Sequence, residues 1–137
     1  MNTFWFLTII VGQFYFSLFF HSFYLHRYGT HRQFEMNRFW EKIFFFFTWL
    51  MQGAAFLSPK TYAVLHLEHH EHSDTKDDPH SPLNFAKKKF VQDIFQSLPK
   101  MMLATHRIFN EIKAGRHYAV QLYKERRLIR WDEFEKF

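Results

Sequence analysis

No cysteine occurs among the 137 residues, so neither a disulfide framework nor a thiolate metal site is open to this chain. No Lys, Arg, Asp or Glu precedes Arg27, and all 18 basic residues follow the first apolar stretch. There is no dinucleotide-binding fingerprint, no haem-attachment motif, no internal repeat and no low-complexity linker. The length allows one modest domain at most. What the chain has in excess is phenylalanine, 20 residues of it, too many for an ordinary soluble surface. The mean hydropathy is nevertheless negative, so the aromatics are concentrated and the remainder is polar. The net charge of +5 is informative chiefly through its placement, and nothing in the pattern calls for a nucleic-acid partner.

Phe4 to Leu25 is an uncharged apolar run. At about 1.5 Å of rise per residue it matches the hydrocarbon layer of a bilayer and predicts a transmembrane helix over 4–25. A cleaved signal peptide fits poorly, since there is no basic segment before the run and no small-residue cleavage site after it. The positive-inside rule puts everything after Leu25 on the cytoplasmic side. Gln13, Ser17 and His21 fall on one face of this helix. They either pack against protein or line a cavity, or else bond to their own helix.

Beyond the run comes His26-Arg27-Tyr28-Gly29-Thr30-His31-Arg32. Five residues apart, the two histidines lie about 140° apart on a straight α-helix, so both reach one metal site only if the helix bends or ends between them. Gly29 permits that. A second apolar piece, Ile43 to Leu57, is short for a span and suits an interfacial, re-entrant or buried segment.

Ser58-Pro59 is a helix-start signature, the serine capping and the proline preset for the first turn. On the helix that follows, His66, His69 and His70 stand at i, i+3 and i+4 on one face, a metal site in outline. A charged, solvated helix that happens to be rich in histidine has the same pattern. Leu67 and Glu68 point elsewhere, and His72 falls off the arc. Asp74 stands four residues after His70, where it can accept the second ring proton of that ligand. The helix should end before Asp77-Asp78-Pro79. If His31 and His66 serve one cluster they lie on the same side of the bilayer. The piece between them is then too short to cross twice, and a shallow, in-plane or re-entrant helix over 38–57 is expected.

From Pro82 onward the composition is that of a soluble cap. Asn84 is placed to cap a helix through Leu98 that Pro99 stops. A second helix is expected from Met101 to Ala114, ended by Gly115, and a third from His117 to Ile129. Lys87-Lys88-Lys89 suits either anionic lipid headgroups or a phosphorylated substrate head. The fold class so read is an all-α integral membrane protein: a transmembrane helix (4–25), an interfacial or re-entrant helix (38–57) and a helical cytoplasmic cap (58–137) with the histidine boxes on the cytoplasmic side.

The pairing of His-x4-His at 26 and 31 with His-x-x-His-His at 66, 69 and 70, followed by Ser73-Asp74-Thr75-Lys76-Asp77-Asp78-Pro79-His80, resembles the membrane fatty acid desaturase family, in particular the acyl-CoA desaturases. The similarity extends over most of the chain and is strongest at 26–32 and 66–82. It implies a diiron centre with His26, His31, His66, His69 and His70 as metal ligands. Asp74, Asp77, Asp78 and His80 would stand behind those ligands, orienting them or capping the loop. It also implies a fatty acyl substrate, carried on coenzyme A or a lipid, a membrane setting, and an external electron donor such as a b-type cytochrome or a ferredoxin. The product would be a cis alkene formed with reduction of dioxygen to water.

The chain departs from the family pattern at Leu67, where arginine is common, and in stopping at Phe137 without a third His-x-x-His-His box. The expectation is therefore an N-terminal portion of such an enzyme. A diiron membrane lipid hydroxylase and a non-catalytic metal-binding membrane protein are the alternatives left open.

Overall fold

A computed structural model of the chain describes residues 2–73, 75–79, 81 and 90–128. Among these residues the fold is all helical, with no strand. Helix α1, Thr3–Phe20, starts where the Asn2 side chain accepts the Trp5 N–H at 3.2 Å. It continues without a break into a π-helical segment, His21–Thr30. Thr3–Thr30 as a whole is long and apolar enough to cross a membrane.

Helix α2, Arg38–Gln52, is capped by Asn37 through the Trp40 N–H at 3.1 Å. It lies antiparallel to the first helix. Glu41 meets Tyr28, Phe44 meets Phe23, Phe47 stacks on Phe20 at 5.6 Å, and the Met51 carbonyl takes the Gln13 amide. Gln13 thus satisfies one of the carbonyls that a helix end leaves without an intrahelical donor. Of the polar stripe on the first helix, Gln13 and His21 both engage the end of α2, His21 through Gln52 at 2.9 Å. Gly53, with φ of +52°, ends α2, and a short 3₁₀ turn, Gly53–Ala55, follows.

Helix α3, Pro59–His72, opens as its first residues predict: the Ser58 hydroxyl accepts the Thr61 N–H and Pro59 occupies the first turn. It runs back along the π segment. Its buried residues Ala63, Val64 and Leu65 join Tyr24, Leu25 and Tyr28 of the π segment in one core. The same core takes in Ile108 and Ile112 of α4, Phe90–Lys113, and Ala119 and Tyr123 of α5, Tyr118–Glu125. Each fully buried aliphatic or aromatic side chain there contributes about 1.5–3 kcal/mol. The histidine-bearing helix α3 is consequently the middle layer, held by the π segment on one side and by α4 and α5 on the other.

Two expectations about the cap are corrected. Pro99 does not stop a helix; α4 runs through it from Phe90 to Lys113. A proline inside a helix removes one hydrogen bond and crowds the preceding turn, yet the apolar positions Ile94, Leu98, Met101, Ile108 and Ile112 stay in helical phase across it. One continuous stripe therefore favours one continuous helix, and Pro99 itself lies on the exposed side. The last helix ends at Glu125, short of Ile129, because Arg127 adopts φ of +53° and the Leu128 N–H folds back to the Tyr123 carbonyl at 3.1 Å. Gly115, at φ of +70°, closes α4 as its position predicts. The expected Asn84 cap, the Lys87-Lys88-Lys89 cluster and Ile129 lie outside the described residues.

Candidate metal centre

The first histidine pair is brought together by backbone register. The π segment closes hydrogen bonds five residues apart, and the His31 N–H donates to the His26 carbonyl at 3.0 Å. Residues five apart then sit one above the other, where an α-helix would separate them by about 140°. The helix widens and then ends at Thr30, between the two histidines as their spacing requires, with His31 in the C-cap position. The Thr30 hydroxyl donates to the Leu25 carbonyl at 2.9 Å, also five residues back. The imidazoles of His26 and His31 consequently stand 4.6 Å apart between ring centres.

The second set comes from α3. The rings of His26 and His66 are 4.6 Å apart, those of His31 and His70 5.1 Å, and those of His66 and His70 4.5 Å. The Nε2 atoms of His66 and His70 approach to 3.0 Å. One nitrogen from each of His26, His31, His66 and His70 falls within a group no wider than 4.8 Å. A group of that width is within reach of one ion at ordinary metal–imidazole bond lengths of ~2.1 Å once the side chains draw in. His70 is exposed and the other three are half-buried.

His69 stands beside this group, its ring 6.2 Å from that of His66. Its Nδ1 bonds the Asp78 carboxylate at 2.8 Å, and the other oxygen of Asp78 accepts the Ser81 N–H at 3.1 Å. Asp78 is buried. A carboxylate there favours the Nδ1–H tautomer, in which Nε2 carries the lone pair a metal would need. Asp77 is exposed, on the rim of a cavity of about 700 Å³ shared with Glu68, Glu111 and His117. Asp74 and His80 lie outside the described residues. His72 takes no part in the imidazole group.

Electrostatics favour the neutral form of His66 and His31. Burial, and then the neighbouring imidazoles of His26, His70, His31 and His69, push His66 down to about 3 from its ordinary 6.5. His31 is lowered too, first by burial and then by His26 and His70. Neutral imidazole is the ligand form, and a protonated ring would have to lose its proton first.

Several supporting residues carry no signal in a histidine motif. Tyr62 stacks on His66 at 5.4 Å and meets His21 edge-on at 4.7 Å; burial raises its hydroxyl to about 12. On the opposite face of α3, Glu68 accepts from Tyr118 at 2.7 Å and lies 3.6 Å from His117, while Glu71 accepts from Tyr123 at 3.1 Å and pairs with Arg126 at 2.7 Å. Both phenols are raised, by burial first and then by their carboxylate partners. Two carboxylates three residues apart, on the face away from the histidines, were the signal available for this tie to α5. Next to the first histidine pair, Arg32 adopts φ of +53° and sends its guanidinium to the Arg127 carbonyl at 2.9 Å.

Residues 2–135 match a family model described as fatty acid desaturase. Neither a curated protein nor a solved structure matches the chain.

Proposed function

The chain belongs to the fatty acid desaturase family, and from that premise we propose that it inserts a cis double bond into a fatty acyl chain at two irons held by His26, His31, His66, His69 and His70. Family membership itself carries a desaturase-type, oxidoreductase function, a fatty acyl substrate, an association with membranes and the use of iron. The observation that supports the finer reading is the group of four imidazole nitrogens drawn from two segments 35 residues or more apart in sequence. Imidazole suits iron, zinc and copper alike, so the reaction, more than the ligand type, favours iron.

Bound iron would supply the dioxygen activation that an unactivated methylene requires. The balance is one acyl –CH₂–CH₂–, one dioxygen, two electrons and two protons giving –CH=CH– and two waters. Two of the four electrons that dioxygen takes come from the substrate and two from a donor, for which a b-type cytochrome or a ferredoxin is the proposal.

The residues of this chain prepare that chemistry. Asp78 holds the Nδ1 proton of His69 at 2.8 Å, aiming Nε2 outward beside the other four rings. Burial keeps His66 and His31 neutral, ready to coordinate. The site lies at the end of Thr3–Thr30, a largely apolar helix of bilayer length, which supports a position for it close to a membrane. The basic residues after Arg27 support a cytoplasmic position for the site. Coenzyme A as the acyl carrier is part of the proposal, resting on likeness at residues 26–32 and 66–82.

Two measurements test it together. Iron analysis of the purified chain should find bound metal that His66→Ala abolishes. Lipid analysis of expressing cells should find new cis double bonds that the same substitution removes. New hydroxyl groups in place of double bonds would identify a hydroxylase, and a chain without metal would end the diiron reading.

A further inference from the structure

A helix whose hydrogen bonds run five residues apart is rare and needs support from its surroundings. In this molecule the turn between His26 and His31 is braced at its middle residue. The ring of Tyr28 is fully buried, stacks on Tyr24 at 5.5 Å and meets Phe34 at 5.7 Å. Its hydroxyl donates to Glu41 Oε1 at 2.7 Å. Glu41 is 2% exposed, and its other oxygen pairs with Arg38.

A carboxylate in such a place is costly unless its partners compensate, and an apolar side chain of similar volume is often at least as stable. Aromatic rings crowd the neighbourhood: Phe34 meets Tyr28, Phe44 stacks on Tyr24, and Phe23 packs against both phenylalanines. A packing role would have been filled more simply by one more of them. What the carboxylate adds is a directed hold on a hydroxyl two residues from one histidine and three from the other. Glu41 is itself fixed, on the first turn of α2, where its charge also faces a helix N-terminus.

Resting on the metal-centre reading, we propose that Glu41 is a positioning residue of that centre: through the Tyr28 hydroxyl it holds the π turn that delivers His26 and His31 to one ion. Released, the turn relaxes toward ordinary α register, the two rings swing about 140° apart, and one of them leaves the group.

The test uses Co²⁺ as a visible probe, titrated into the whole purified chain in detergent, with the absorption band reporting ligand number and geometry. Tyr28→Phe removes the hydroxyl and keeps the ring. Glu41→Leu removes the acceptor, and Glu41→Gln restores one. Tyr28→Phe and Glu41→Leu should bind Co²⁺ about tenfold more weakly, at the low end of what groups supporting metal ligands are worth, with a changed band. Glu41→Gln should stay within about threefold of the parent.

The discriminating arm repeats Tyr28→Phe in a His31→Ala background. There the turn has no second imidazole to deliver, so the substitution should add nothing, and the double-mutant cycle reads the coupling directly. Equal losses in both backgrounds, or no loss in either, would overturn the proposal in favour of a purely structural Tyr28–Glu41 pair. A parent chain that takes up no Co²⁺ would overturn the metal reading and this inference together, whereas a parent that binds beside unchanged variants overturns this inference alone.

Discussion

The two halves of the first helix differ more than any two separate elements of the molecule. From Thr3 to Phe20 no residue is buried, and Phe4, Ile9, Phe14 and Tyr15 are each more than half exposed. From His21 to Thr30, on the same helix, Tyr24, Leu25, Tyr28, Gly29 and Thr30 are all buried against protein. The backbone register changes at the same place, from α to π. One half is shaped for a largely apolar surrounding, and the polar stripe it carries is engaged through Gln13 by the end of α2. The other half must present two imidazoles to one point, and for that it gives up the commoner hydrogen-bond pattern.

The sharpest way to break the comparison is to remove a ligand from one half and a ring from the other. His26→Ala should empty the metal group, while Phe14→Ala should leave metal content unchanged; iron per chain in the purified protein reads both. A charge discriminates in the opposite sense. Ile10→Arg, in the exposed half, should oppose membrane insertion by about 2.5–3.5 kcal/mol, seen in an insertion assay, whereas Arg27 already sits in the other half, exposed and tolerated.

Next in size is the support behind the second set of ligands. Asp78→Asn weakens the hold on the His69 ring proton and should lower metal affinity about 10–100-fold, measured by competition with a chelator. Acid should then loosen the buried half before the exposed one. His66 and His31 are lowered in the folded chain, so below the ordinary value of 6.5 the unfolded state binds more protons than the native state. Stability of the metal-free chain should therefore fall as pH drops from 6.5 toward about 3 and be flat just above 6.5 as far as these rings decide it. Thermal denaturation in detergent over that range checks the direction. Smallest is the cap of the ligand helix: Ser58→Ala should cost about 1 kcal/mol, a modest drop in Tm.

Much of this arrangement is legible in the residues themselves. Ser58-Pro59 marks the start of α3 because both act locally, and Gly115 marks the end of α4 for the same reason. His66 and His70 on one face follow from helical spacing alone. The meeting of His26 with His31 does not, since the π register depends on Tyr28, Glu41 and the wall of α3, none of which a five-residue spacing encodes. Pro99 misleads for a related reason: a local stop signal is outweighed by an apolar stripe that keeps its phase on both sides. The partner of His69 lies nine residues ahead across a turn, which no helical offset reaches. Tyr118 and Tyr123, tied to Glu68 and Glu71, belong to a helix some 50 residues away and are found only once the chain is folded.

The bond from Arg32 to the Arg127 carbonyl spans 95 positions of sequence. During synthesis at about 5–20 residues per second, the first histidine pair is thus finished about 5–20 seconds before the ribosome supplies that last neighbour. The order of synthesis thus leaves this contact among the last long-range ties that the described residues can form.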